Sequence, residues 1–421
     1  MKELLVSLLL VTQFSCISKA QENDTTTQIL TTDSLQTDTL SLLFAGDLMQ
    51  HQGQINAART ATGGYDYSSY FEYVKDEIQS ADFAIANLEV TLGGKPYKGY
   101  PAFSAPDEYL TAIHNAGFNV LITANNHSLD RGRKGLERTI QLIDSLKIPH
   151  AGTYLNAEER ENKYPLLLEK KGFRIAILNY TYGTNGIPVT PPNIVNYTDT
   201  TIISKDIEAS KTMNPDAIIA CMHWGIEYQS LPDKEQKFLT DWLLRKGVNH
   251  IIGCHPHVVQ PIEVREDSLT NGKHLVVYSL GNYISNMSAR RTDGGLMVKM
   301  ELVKDSTTRL NHCEYSLVWT ARPVQSGKKN HQLLPINFPT DSISVNARNS
   351  LRIFANDARS LFSKHNRGIK EYLFYKKKVA ESFGDLKIIS IFAPIRLSSI
   401  HTSSSSRQCD NTSRFSMFIS R

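Results

Sequence analysis

The chain has 421 residues, enough for one large domain with appendages or for two domains. With 41% hydrophobic and 21% charged residues it can bury a sizeable core, which excludes global disorder. A formal net charge of +4 does not demand nucleic acid or an anionic membrane as partner, and five cysteines do not make a disulfide scaffold.

Lys2 followed by the apolar run Leu4 to Phe14 has the form of a signal peptide, too short to span a bilayer comfortably. Two exits fit residues 1–20. Phe14-Ser15-Cys16 resembles a relaxed lipoprotein box, with Cys16 as the lipid attachment point; Ser18-Lys19-Ala20 resembles an ordinary cleavage site. An uncleaved hydrophobic anchor is the third reading. In the first two cases the expectation is an exported protein of the cell envelope, and in the lipoprotein case a lipid anchor makes the membrane contact. No later stretch stays apolar over the roughly 18 residues that a span needs. Residues 21–39, rich in Thr, Asp and Gln, read as a solvated linker.

From Leu40 the pattern changes to short apolar runs alternating with helical segments. Strands are expected over Leu40–Ala45, Phe83–Leu88, Asn119–Ala124, Phe173–Asn179, Ala217–Met222 and Leu275–Leu280, with later ones over Leu296–Val303 and Cys313–Ala321. Helices are expected over Phe71–Ser80, Asp107–Ala116, Gly132–Lys147 and Pro232–Lys246. This alternation predicts an α/β architecture with helices covering the sheets. Residues 40–325 form the expected main domain. Residues 326–385 read as a helical appendage on or beside it, and 386–421, with the run Ser403–Ser406, as a poorly ordered tail.

Polar residues recur just past the strands: Asp47, Glu89, Asn126-His127, His223, His255 and His257. Sites in α/β folds assemble at the carboxyl ends of strands. Each residue also has a plainer reading. Asp47 is either a hard-oxygen metal ligand or a turn aspartate. Glu89, so close to apolar residues, needs a partner, which is either a cation or an arginine. Asn126 offers a carbonyl, and His127 with Asp130 three residues on can carry a proton on an oriented ring; the alternative is a turn with a capping aspartate. His223 is either a core histidine or part of the loop that continues through Trp224-Gly225 to Glu227. In His255-Pro256-His257 the proline favours an extended chain, which predicts both imidazoles on one side. Cys221 and Cys254 read as buried thiols turned away from their neighbouring histidines, with a disulfide between them a second option. No G-x-S-x-G, P-loop or dinucleotide fingerprint is present.

Six motifs in order carry a resemblance: Gly46-Asp47-Leu48-Met49, Asn87-Leu88-Glu89, Ala124-Asn125-Asn126-His127-Ser128-Leu129-Asp130, His223-Trp224-Gly225-Ile226-Glu227, Gly253-Cys254-His255-Pro256-His257 and Ser279-Leu280-Gly281-Asn282. The pattern resembles the capsule-synthesis CapA family (poly-γ-glutamate synthesis) of the calcineurin-like metallophosphatase superfamily. The resemblance implies a four-layer α-β-β-α sandwich with one or two divalent metal ions, Mn, Zn or Fe, at the strand ends. It implies Asp47, Glu89, Asn126, His223, His255 and His257 as ligands, His127 with Asp130 as general acid, and Glu227 and Asn282 near substrate. It further implies an anionic cell-surface polymer or a phosphoester as substrate, and capsule-synthesis machinery as partner. Three activities follow from it as alternatives: a phosphoesterase-type hydrolase, a non-catalytic polymer-assembly or anchoring protein, and an amide hydrolase of the polymer. The pattern departs from the superfamily at Met49, where phosphatases carry a histidine; a thioether is a poor ligand for hard cations, and His51 follows two residues later.

Overall fold

The computed structural model describes residues 38–267 and 272–375. The expected signal, Cys16, the linker up to residue 37 and the tail lie outside them; residues 38 and 39, expected as linker, already belong to the strand Asp38–Leu48.

Two sheets face each other. The first has nine strands, and its path runs Gln332–Pro335, Thr308–Ala321, Gly294–Lys304, Asp38–Leu48, Phe83–Leu88, Val120–Ile122, His150–Ala151. The second has six: Ile262–Glu266, Lys273–Val277, His250–Cys254, Ala217–His223, Phe173–Thr181, Leu166–Lys170. Strand alternation explains why the sequence runs are almost continuously apolar, because both faces are covered. Leu40, Leu42 and Phe44 enter the core between the sheets, where they meet Ile175, Ile177 and Ile219; Leu43 and Ala45 point to the outer side.

Helix Asp107–Ala116 packs Tyr109, Leu110 and Ile113 on that outer face of the first sheet. Helices Thr200–Thr212 and Lys234–Lys246 cover the second sheet with Ile203, Ile207, Leu239 and Leu243. The result is the four-layer α-β-β-α sandwich. Helix Val345–His365 sends Leu351, Phe354 and Phe362 into the core between the sheets, with the Phe362 ring edge-on to Tyr315 at 4.9 Å.

Three expectations are corrected. The helix expected over Phe71–Ser80 shrinks to Lys75–Gln79, preceded by a short turn at Ser68–Tyr70. The aromatic residues Tyr67, Tyr70 and Phe71 pack edge-to-face there instead of forming a helical stripe. Cys221 does not turn away from His223: two residues apart on one strand, they share a face, and Cys221 lies in the core between the sheets. Cys221 and Cys254 are both free thiols. Finally, the chain at His255 and His257 is not extended, as the site shows below.

Candidate metal centre

Strand periodicity delivers the first group of side chains. Ile85 faces the core between the sheets, so Asn87 and Glu89 continue on the same face past the apolar stretch. Ile219 and Cys221 do the same for His223 on the opposite sheet. Cys254 pairs with His223 in register, so the loop carrying His255 and His257 begins beside it.

Asp47 needs a different device. Strict alternation from Leu42 and Phe44 would aim it at the outer face. The pairing with Phe83–Leu88 shifts register between Ala45 and Asp47, and this bulge turns Asp47 inward while Leu48 and Met49 pass to the outer cluster. Gly46 permits the bulge: a Cβ there would lie 2.0 Å from the carbonyl oxygen of Gly281, which accepts the Asp47 amide at 3.0 Å. Met49 is therefore core, 2% exposed, and contributes nothing to the centre.

His255 and His257 have φ of 102° and 58°. Left-handed backbone at a non-glycine residue costs of order 1–3 kcal/mol and gathers at functional sites. These dihedrals, rather than strand alternation, place the two ring centroids 5.9 Å apart, and the His255 ring lies 4.8 Å from that of His223.

Asp47, Glu89, Asn126, His223, His255 and His257 all lie together and buried. Two triads among them, Glu89–His255–His257 and Asp47–Glu89–His223, each present one ligand atom per residue within 4.8 Å of the others. Three atoms in this cluster are buried without a hydrogen-bond partner: Asp47 Oδ2, Glu89 Oε1 and His255 Nδ1. Orphaned acceptors of this kind are costly unless a cation completes them, and carboxylate with imidazole is a donor set suited to a divalent metal.

Other atoms are committed. His257 donates from Nδ1 to Asn282 Oδ1 at 3.1 Å, and Asn282 is itself fixed by donating to the Thr292 carbonyl at 2.8 Å, so His257 Nε2 is left bare, 3.8 Å from Glu89 Oε1. His223 Nε2 donates to Asn126 Oδ1 at 2.8 Å. Glu227, 41% exposed in its side chain, stands 4.0 Å from His257 Nε2 at the rim. Asn282, which the resemblance sets near substrate, thus stands buried behind His257 instead.

Beside the cluster, the turn after strand Val120–Ile122 carries His127 and Asp130. His127 Nδ1 lies 2.8 Å from Asp130 Oδ2, which also accepts the Phe103 amide at 2.8 Å. The Phe103 ring covers the imidazole at 4.6 Å. His51 does not join the ligands; its Nδ1 accepts the Asn286 amide at 3.4 Å, and burial brings its pKa down to about 4.

The electrostatics fit a cluster able to hold a cation. Burial, then the neighbouring Asp47 charge, pushes the Glu89 carboxyl well up. Burial works against Asp47 ionisation too, but the His257 imidazole and the Asn87 amide outweigh it and hold that carboxyl down. Burial drives His223 well below its ordinary value and His255 down to about 3, so both are neutral, as ligands must be. Asn87 and Asn125 stand in two of the six motifs without a role of their own and Tyr182 in none, yet all three belong here: the Tyr182 ring lies 4.5 Å from that of His255. The spacing of Asn87 two residues before Glu89 was the available signal.

Fold and site together define a sandwich protein whose facing strand ends enclose a buried carboxylate–imidazole centre able to hold divalent metal. The model of the family described as "Bacterial capsule synthesis protein PGA_cap" matches residues 41–287, and the chain belongs to that family. It is 30% identical over 289 residues to the "PGA biosynthesis protein CapA" of Bacillus subtilis, covering 65% of this chain and 70% of that one. To the "Capsule biosynthesis protein CapA" of Bacillus anthracis it is 26% identical, covering 66% of this chain and 67% of that one. Among solved structures it is similar to the calcineurin-like phosphoesterase YfkN of Bacillus subtilis, with TM-score 0.40, 13% identity, and coverage of 77% and 98%. Similarity to the NAD nucleotidase of Haemophilus influenzae has TM-score 0.44 at 12% identity; it covers 80% of this chain and 65% of that longer one.

Proposed function

We propose that the protein is a metal-dependent hydrolase of the phosphoester type that acts at the cell envelope in the synthesis of capsule or another anionic surface polymer. The observation that carries this reading is the set of buried, unpartnered ligand atoms on Asp47, Glu89 and His255 beside the His127–Asp130 pair. A divalent cation held by these residues supplies Lewis acidity toward a phosphoryl oxygen and toward water.

The chain's own groups do the rest. Asp130 holds the Nδ1 proton of His127, which leaves Nε2 to deliver a proton to the leaving oxygen. Phe103 keeps water off the ring. Glu227 and Tyr228, on the loop after His223, line the rim where the non-reacting part of a substrate would lie. Export and a lipid tether at Cys16 belong to the same reading and rest on the N-terminal residues alone. A second reading, a non-catalytic assembly protein on the same fold, draws on Met49: the position where the resemblance expects a further imidazole carries a thioether packed in the outer core, away from the centre.

Hydrolysis of p-nitrophenyl phosphate and bis-p-nitrophenyl phosphate by the full chain, in added Mn²⁺ or Zn²⁺, separates the two. The hydrolase reading predicts turnover that falls about 10²–10⁴-fold in His127→Ala. Absence of turnover with both metals, or His127→Ala equal to the parent, supports the assembly reading instead.

A further inference from the structure

We infer that the centre takes one divalent cation rather than two, because the side-chain amide of Asn87 already fills one of the two ligand triads. This rests on the reading that the cluster holds a cation at all. Asn87 Nδ2 lies 2.8 Å from Asp47 Oδ1, 3.1 Å from Glu89 Oε2 and 3.4 Å from His223 Nδ1. It therefore faces one atom from every member of the Asp47–Glu89–His223 triad.

The direction of that amide is fixed by groups that cannot exchange roles. The backbone N–H of His127 donates to Asn125 Oδ1 at 3.1 Å, so Nδ2 of Asn125 is on its other arm. That arm donates to the Leu88 carbonyl at 2.8 Å and to Asn87 Oδ1 at 3.2 Å. Asn87 is left with its NH₂ pointing into the carboxylates, where it can donate but cannot ligate. His223 completes the picture: its Nε2 is spent on Asn126 Oδ1, so Nδ1 carries the lone pair, and Nδ1 faces Asn87.

On the other side ligand atoms stand without a hydrogen bond. The Glu89 oxygen not used by Asn87 and His255 Nδ1 are unpartnered, and His257 Nε2 is bare; the second Asp47 oxygen makes no hydrogen bond but lies 3.3 Å from His257 Nδ1. One cation on the Glu89–His255–His257 side completes the Glu89 oxygen and the two imidazoles, with the amide on the other side and His257 Nδ1 beside Asp47 Oδ2. An amide has no charge, so it also spares the site the cost of crowding two dications between two carboxylates.

Metal content of the full chain, reconstituted with Mn²⁺ or Zn²⁺ and freed of loose metal, tests this. The expected result is one equivalent per chain, lost in His257→Ala and kept in His223→Ala. In Asn87→Asp, which swaps the donor for a ligand of the same shape, a second equivalent is expected. Two equivalents in the parent protein overturn the inference and leave the metal-centre reading standing; none overturns both. Loss of the equivalent in His223→Ala but not in His257→Ala overturns the placement. A folded Asn87→Asp protein that still holds one equivalent shows that the amide is not the obstacle, and the inference fails.

Discussion

Asp47 reaches the cluster only because its strand breaks step at Gly46. The sequence identified Asp47 at a strand end, but the side it faces depends on a register shift against Phe83–Leu88 that no local pattern announces. Gly46→Ala tests the bulge. A Cβ placed 2.0 Å from the Gly281 carbonyl must push the strands apart, with a cost of about 1–3 kcal/mol and a weaker grip on metal. Chemical denaturation and metal affinity measured on the same variant check it; an unchanged midpoint and affinity would show that the backbone yields freely there. The His127–Asp130 pair makes a separate claim. Asp130→Asn keeps the shape but gives up the charge beside His127 Nδ1, so kcat is expected to fall at least tenfold with little change in KM. Equal kcat would remove Asp130 from the mechanism.

At the scale of elements, periodicity read well wherever tertiary packing agreed with it. Asp107–Ala116 appears with the expected bounds and ends at Gly117, whose φ of 115° suits glycine. Helix Thr200–Thr212 is not among the expected elements, although Asp199 caps it through the amides of Thr201 and Ile202, and Ile203 and Ile207 stand one turn apart. The loop His255–His257 follows its strand as the sequence predicts, but the expected extended shape is replaced by positive φ at both histidines, where a proline's preference for extended neighbours yields to a buried cluster. Helix Lys234–Lys246 offers an element-scale test. Asp233 accepts the Gln236 amide at 2.8 Å and Gln236 Oε1 accepts the Asp233 amide at 3.1 Å, while Gln236 Nε2 reaches Gln260 at 2.9 Å. Asp233→Ala should lower stability by about 1 kcal/mol without altering metal content. A loss below a few tenths would mean that the cap is idle.

Over the whole molecule, burial of neutral imidazoles predicts acid sensitivity. Burial lowers His250 and His331, both outside the centre, to about 3. Below the ordinary value near 6.5 the unfolded chain takes up protons that these folded sites refuse. Stability is therefore intact above that value and is lost as pH falls toward the folded pKa. Between pH 6.5 and 4.5 each such histidine withdraws about 2 kcal/mol. Urea midpoints at the two pH values, in chelator, should differ accordingly, and a flat profile would contradict the buried neutral assignment. Strand and helix alternation makes the α/β class with covered sheets legible, and the four layers follow from the resemblance that the six motifs carry. What alternation could not supply was the partner of each polar end, because facing strand ends come from opposite sheets and from residues as far apart as Asp47 and His257.

The central claim, a cation held between those facing ends, is tested most directly by anomalous diffraction from crystals of the full chain grown with Mn²⁺ or Zn²⁺. The account predicts one strong anomalous peak within bonding distance of Glu89, His255 and His257. A metal-loaded crystal with no peak at that cluster, or with its peak elsewhere on the molecule, would contradict it.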